Sequence, residues 1–136
     1  MKFKKIEIEK DGNCLFRSVS IPLRTNHKNI RNFVSLYLDQ NQNKKFNNMS
    51  LKEWINISTN SNIKKYCSLV KEDGFWGGEI EIFAISNIFF INIFILKENQ
   101  KNEKYEITNS FIYNKKARNI FLLYEDDHYT YMDYKK

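Results

Sequence analysis

The chain has 136 residues, 42% hydrophobic and 15% aromatic, enough for one domain around one core and too few for two. Its formal net charge is +6, which raises nucleic acid or an anionic membrane as partners, but the basic residues are scattered. Lys2, Lys4 and Lys5 come nearest to a cluster, with Phe3 the one aromatic among them, and no basic stretch carries the run of interleaved aromatics that single-strand binders require. Two cysteines without regular spacing argue against a disulfide framework and fit a reducing compartment.

The predicted elements follow from periodicity and turn residues. Phe3, Ile6 and Ile8 stand among charges, and the alternation over 6–8 reads as a short strand or an arm laid on the core. Asp11, Gly12 and Asn13 favour a turn, and the apolar run that follows predicts a buried helix over 14–20, ended by Pro22. Positions 24–26 connect to a helix over 29–40, with Ile30, Phe33, Val34, Tyr37 and Leu38 on one face. A polar loop spans 41–48, and Ser50 caps a short helix through Leu51, Trp54 and Ile55. After a break at 58–62, a helix over 63–71 carries Ile63, Tyr66, Cys67 and Val70 in one stripe. Cys67 is therefore read as structural.

The segment 79–89 is apolar all round and predicts a central helix. Positions 91–96 read as an internal strand and 97–104 as a polar turn, with edge strands at Tyr105 to Ile107 and at 111–113. A second buried strand covers 119–124 and a last one 128–134. Helices first and strands last predict an α+β fold, helices packed on a small mixed β-sheet in a single domain over 1–136. The stretch 80–96 is interrupted by Glu81, Ser86, Asn87 and Asn92 and falls short of a membrane span, and the N-terminus lacks the apolar core of a secretory leader. A monomer in the cytoplasm is the expectation.

The chemistry concentrates at two points. Cys14, at a helix start, would have its thiolate stabilised by the helix dipole and by free backbone N–H groups. A thiol attacking an amide needs a base that later protonates the leaving amine, and imidazole suits both tasks. His27 sits among polar residues at a helix start and reads as surface. His128 lies between the acids Glu125, Asp126 and Asp127 and a tyrosine-rich strand, where flanking charge would favour an imidazolium. Backbone amides of Asp11, Gly12, Asn13 and Cys14 could receive an oxyanion, Gly12 permitting them to converge. Asn13 reads equally as a side-chain donor there or as a turn residue. Trp76, Gly77 and Gly78 could wall a substrate channel, with core burial an equal reading for Trp76.

Asp11-Gly12-Asn13-Cys14-Leu15-Phe16-Arg17-Ser18 resembles the signature of the ovarian tumour (OTU) family of cysteine proteases, which remove ubiquitin from proteins. Phe75-Trp76-Gly77-Gly78-Glu79-Ile80-Glu81-Ile82 and Asp127-His128-Tyr129 follow in the order of that family, so the resemblance runs from about Glu9 to Asp133. It implies an OTU-like fold, Cys14 as nucleophile, His128 as general base and acid, and ubiquitin, polyubiquitin or a ubiquitin-like modifier as partner, with no cofactor and no metal. The site of action would be the cytoplasm, that of a host cell if the chain is viral or parasitic.

One feature departs from the pattern. Many members place Asp or Asn two positions after the histidine, where this chain has Thr130. Asp11, often counted in the family's triad, is the leading candidate to orient His128, with Asp126, Asp127 and Asp133 also open. Two other readings stand beside the deubiquitinase. One is an OTU-fold module that binds ubiquitin but turns over poorly; the other is a basic nucleic-acid-binding protein in which Cys14 is incidental.

Overall fold

The structure, a computed structural model, describes residues 2–135. Among them are five helices and seven strands: β1 (Lys2–Ile6), α1 (Cys14–Leu23), α2 (His27–Gln40), β2 (Lys45–Phe46), β3 (Met49–Ser50), α3 (Leu51–Thr59), α4 (Ile63–Val70), α5 (Glu79–Phe89), β4 (Ile91–Asn99), β5 (Lys104–Phe111), β6 (Arg118–Glu125) and β7 (His128–Lys135). Five strands form one sheet in the order β1-β7-β6-β4-β5. Only the β4–β6 pair is parallel, so the sheet is mixed, as the sequence predicts.

Alternation along the strands divides the apolar residues between the two faces. Ile93 and Ile95 of β4, with Ile120 and Leu122 of β6, meet Leu15, Phe16 and Val19 of α1, Ile30, Val34 and Leu38 of α2, and Ile82 and Ile85 of α5. This is the main core. Leu96, Leu123 and Met132 point to the other face, where Phe3, Tyr105 and Phe121 cover them. The Phe3 and Tyr105 rings lie 5.7 Å apart although β1 and β5 are opposite edges of the sheet. Strong right-handed twist curls the edges toward each other.

Several boundaries differ from the sequence reading, each for a local reason. Pro22 does not stop α1, which runs to Leu23 before Arg24 turns left-handed at φ 55°. A proline one residue from the helix end costs a single backbone bond. The second helix starts at His27, two residues early, because the Asn26 side chain caps it by accepting from Asn29 N–H at 2.8 Å. Inside the expected loop, β2 and β3 pair across Asn47 and Asn48, both with positive φ, the requirement of a tight hairpin.

Helix α3 continues to Thr59, beyond Ile55. The expected polar turn at 97–104 shrinks as β4 continues to Asn99 and β5 becomes one strand, since the projecting hairpin keeps its backbone ladder whatever side chains it carries. The first strand lies at 2–6, earlier than 6–8, in register with Tyr131 to Lys135. Phe33, expected on the packing face, is 47% exposed and meets only the core's margin at Phe89.

Glu81 is a buried carboxyl in the first turn of α5. Its Oε1 accepts from Gly78 N–H at 2.7 Å and its Oε2 from the Tyr66 hydroxyl at 2.5 Å. Burial pushes its pKa up to about 7 despite those bonds. Because the folded value exceeds the unfolded one, the stability linked to Glu81 is fully present below about pH 4.5 and is lost as pH rises through 7, a change on the order of 3 kcal/mol. Glu81→Gln keeps both contacts, its amide donating to a reoriented Tyr66 hydroxyl. Urea midpoints at pH 5 and pH 8 should fall for the parent chain and stay level for the variant.

Candidate active site

Cys14 begins α1 and is 4% exposed, with Asn13 as the residue before the helix. The turn ahead of it is closed by local bonds. Asp11 Oδ1 accepts from Asn13 N–H at 2.9 Å, and the Asp11 carbonyl accepts from Cys14 N–H at 3.3 Å. Oδ2 of Asp11 pairs with Arg17, 3.2 Å from Nε and 3.1 Å from the terminal nitrogen. Burial works to raise the Asp11 pKa, but the Asn13 N–H and the Arg17 guanidinium outweigh it, and the net shift is downward.

A second loop, between α4 and α5, crosses this turn at close range. A Cβ on Gly12 would lie 2.0 Å from the Gly74 carbonyl oxygen, so only glycine fits there. The Asn13 side chain, 4% exposed, bridges the two loops: its amide donates to Asp73 Oδ1 at 2.9 Å, and its Oδ1 accepts from Gly74 N–H at 2.8 Å. Arg31 of α2, 1% exposed, completes the junction. It donates to Asn13 Oδ1 at 2.5 Å and to the carbonyls of Val70 and Phe75, each at 2.9 Å. Its guanidinium also stacks 4.2 Å from the centre of the Phe16 ring.

A cleft of about 450 Å³ opens over Cys14. Gly12 and Trp76 to Glu79 line it, with Ile82 and Ile95 from the core and Thr108, Asn109, Tyr124, Asp127 and Tyr129 from the strands and the β6–β7 turn. Trp76 is 61% exposed at the rim, which decides against core burial. Gly77 is small because a Cβ there would lie 2.5 Å from Leu15 Cδ2, so the close approach is to α1. The cleft spans a hydrogen bond from Asn109 Nδ2 to Glu79 Oε1, 2.9 Å long.

The strand β7 supplies the remaining part. β1 pairs with Tyr131 to Lys135 only, which leaves the first residues of β7 with a free edge. There the Tyr129 N–H donates to Cys14 Sγ at 3.4 Å, and the Tyr129 carbonyl accepts from Ser18 Oγ. His128 is the adjacent residue. Thr130 pairs with Leu123 of the second cluster, so alternation puts His128 and Thr130 on the same side of the sheet. His128 Nε2 is buried and has no hydrogen-bond partner among the described residues.

The sequence-predicted residues thus fall into two groups. Cys14, Gly12, Trp76, Gly77 and Gly78 line one cleft, and His128 stands next to the residue whose backbone touches the sulfur. Asp11 faces Arg17, and Asn13 faces Asp73 and Arg31, which makes Asn13 a junction residue and not a free donor. Asp126 and Asp127 form the tight turn between β6 and β7 with φ of 50° and 59°. Asp133 lies further along β7, bonded to Lys135 at 2.9 Å. His27 opens α2 and is half-buried; burial first, then Arg17 and Arg31, hold its pKa below the ordinary value. Cys67 is packed in the core, where burial pushes its thiol up to about 11.

Sequence reasoning missed Arg31, Glu79, Thr108 and Asn109. For Arg31 a signal existed, since it shares a helical stripe with the buried Ser35 and Leu38. Thr108 and Asn109 come from a stretch that reads only as polar edge strand, and nothing local marks them.

A cysteine at a helix start beside a cleft, with a histidine-bearing strand alongside, is an arrangement on which thiol chemistry can be built. The chain belongs to the family of OTU-like cysteine proteases, whose sequence model matches residues 9–132. It is 30% identical over 131 residues to the OVARIAN TUMOR DOMAIN-containing deubiquitinating enzyme 7 of Arabidopsis thaliana, covering 93% of this chain and 32% of the relative. The chain spans about a third or less of the length of the curated relatives it matches. Among solved structures, the OTU domain of OTUD1 superposes with a TM-score of 0.75 at 17% identity, over 96% of this chain and 85% of the other. The Hazara virus OTU bound to ubiquitin gives a TM-score of 0.74 at 15% identity, over 98% and 82%. The fold is the α+β OTU fold. Among the described residues, no helix is long and apolar enough to cross a membrane.

Proposed function

We propose that the chain is a thiol-dependent ubiquitin isopeptidase that cleaves after the terminal glycine of ubiquitin or a ubiquitin-like modifier. The observation that carries this reading is the meeting of Cys14, at the start of α1 in the cleft floor, with the free edge of β7 that bears His128. Cys14 Sγ attacks the glycine carbonyl, and the amine leaves with a proton from His128. Water then attacks the thioester with His128 as base, which releases the modifier and restores the thiol.

The developing oxyanion is served by the N–H of Gly12, a residue that lines the cleft, and by Cys14 N–H, whose present bond to the Asp11 carbonyl is long at 3.3 Å. Ubiquitin's tail is basic, and acids stand where it would enter. Glu79 and Asp127 line the cleft, and Glu98, Glu106, Glu125 and Asp126 surround an adjoining hollow. Ubiquitin bound to the related viral domain supports the same partner here.

A second reading, a ubiquitin-binding module of low turnover, is favoured by one observation: Nε2 of His128 has no hydrogen-bond partner among the described residues. Both readings are tested with ubiquitin carrying a C-terminal electrophile. The expected result is a one-to-one covalent adduct in the parent chain and none in Cys14→Ala. Binding of native ubiquitin without any adduct would select the module, and binding of neither would sink both.

A further inference from the structure

The loop carrying Cys14 is held by a neighbour loop through side chains that touch neither the sulfur nor the cleft. We propose that Asn13, Asp73 and Arg31 are positioning residues that set the Gly12 and Cys14 amides at the oxyanion position. This rests on the isopeptidase reading above.

Asn13 uses three of the four bonding sites of its side chain at the junction. The amide donates to Asp73 and the carbonyl oxygen accepts from both Gly74 N–H and Arg31. Its backbone is constrained as well, its N–H being held by Asp11 and its carbonyl accepting from Arg17 N–H at 2.8 Å. A residue fixed at both backbone groups and at both ends of its side chain leaves its neighbours, Gly12 and Cys14, little freedom. Arg31 extends the hold to both walls: it bonds the Val70 and Phe75 carbonyls, at the two ends of the loop that leads into Trp76, and lies 3.4 Å from the Gly12 carbonyl. The charge that makes this burial tolerable is supplied at one remove by Asp73, Asp11 and Glu81.

Backbone donors stabilise a tetrahedral intermediate only when they already point at the oxygen, and a misplacement of about 1 Å can lower the rate on the order of 100-fold. Gly12 has no side chain to anchor itself. Its placement comes from the Gly74 backbone on one side and the Asn13 junction on the other.

The test uses Asn13→Ala and Asp73→Ala, with Asp73→Asn as the conservative variant, since an amide oxygen can still accept from Asn13. Three readouts are compared: kcat and KM on a ubiquitin C-terminal amide, the alkylation rate of Cys14 by iodoacetamide, and thermal unfolding. Alkylation displaces iodide by the sulfur and forms no oxyanion, so it reports the thiol alone. Both alanine variants should lose about 10- to 100-fold in kcat, with KM and alkylation within a few-fold of the parent, and Asp73→Asn should recover most of kcat. The proposal is overturned if kcat survives in Asn13→Ala, or if alkylation and KM worsen in step with kcat, which is the signature of general loosening. Full activity in Cys14→Ala would instead refute the isopeptidase reading on which the proposal depends.

Discussion

Replacement of His128 by alanine is expected to lower kcat/KM on a ubiquitin C-terminal amide by about 100- to 10,000-fold, the usual range for loss of a positioned acid–base group. KM should change little, because His128 is outside the set of residues that line the cleft. The companion variant is Thr130→Asp. Thr130 is 3% exposed and on the same side of the sheet as His128, whose buried Nε2 has no partner among the described residues. A carboxylate there would accept from the ring, fix its tautomer and favour the imidazolium, so kcat should rise. Steady-state kinetics from pH 5 to 9 on the three chains decide the matter. An unchanged rate in His128→Ala would remove His128 from the reaction.

Arg31→Met is expected to lower the unfolding free energy by about 2–5 kcal/mol, a large share of the margin of an ordinary domain. Methionine fills a similar volume against Phe16 but cannot donate, and two carbonyls, those of Val70 and Phe75, lose their bond to Arg31 inside the protein. Each unsatisfied group costs about 1–3 kcal/mol. Arg31→Lys should recover only part of the loss, because three donors on one nitrogen cannot reach carbonyls spread around a planar fork. Urea unfolding measures both variants. A shift below about 1 kcal/mol in Arg31→Met would mean that the loops hold together without it.

Local chemistry made much of this molecule readable from its residues. The Asp11 to Ser18 stretch announces a turn feeding a helix, and the stripes on 29–40 and 63–71 announce helices that pack. The β-branched run at 91–96 announces a central strand. What stayed hidden depends on encounters between distant segments. No sequence pattern says that Asn13 meets Asp73, sixty residues on, or that Gly12 is small because Gly74 passes over it. The hairpin at Asn47 and Asn48 was within reach, since asparagine tolerates positive φ, but its two-residue strands are too short to show alternation. Pro22 misled in the opposite direction: it marks a helix end to within one residue without causing it.

The pairing of β1 with β7 joins the start of the described chain to its finish. The hydrogen bond from Tyr129 to Cys14 spans 115 positions, and the second apolar cluster closes only when Phe3 arrives over strands from the last third. Contacts so distant in sequence form late, after the loops between them have closed. A chain still being synthesised therefore holds Cys14 without the strand that flanks it. If the proposed isopeptidase reading holds, a fragment that stops before β7 should not hydrolyse a ubiquitin amide.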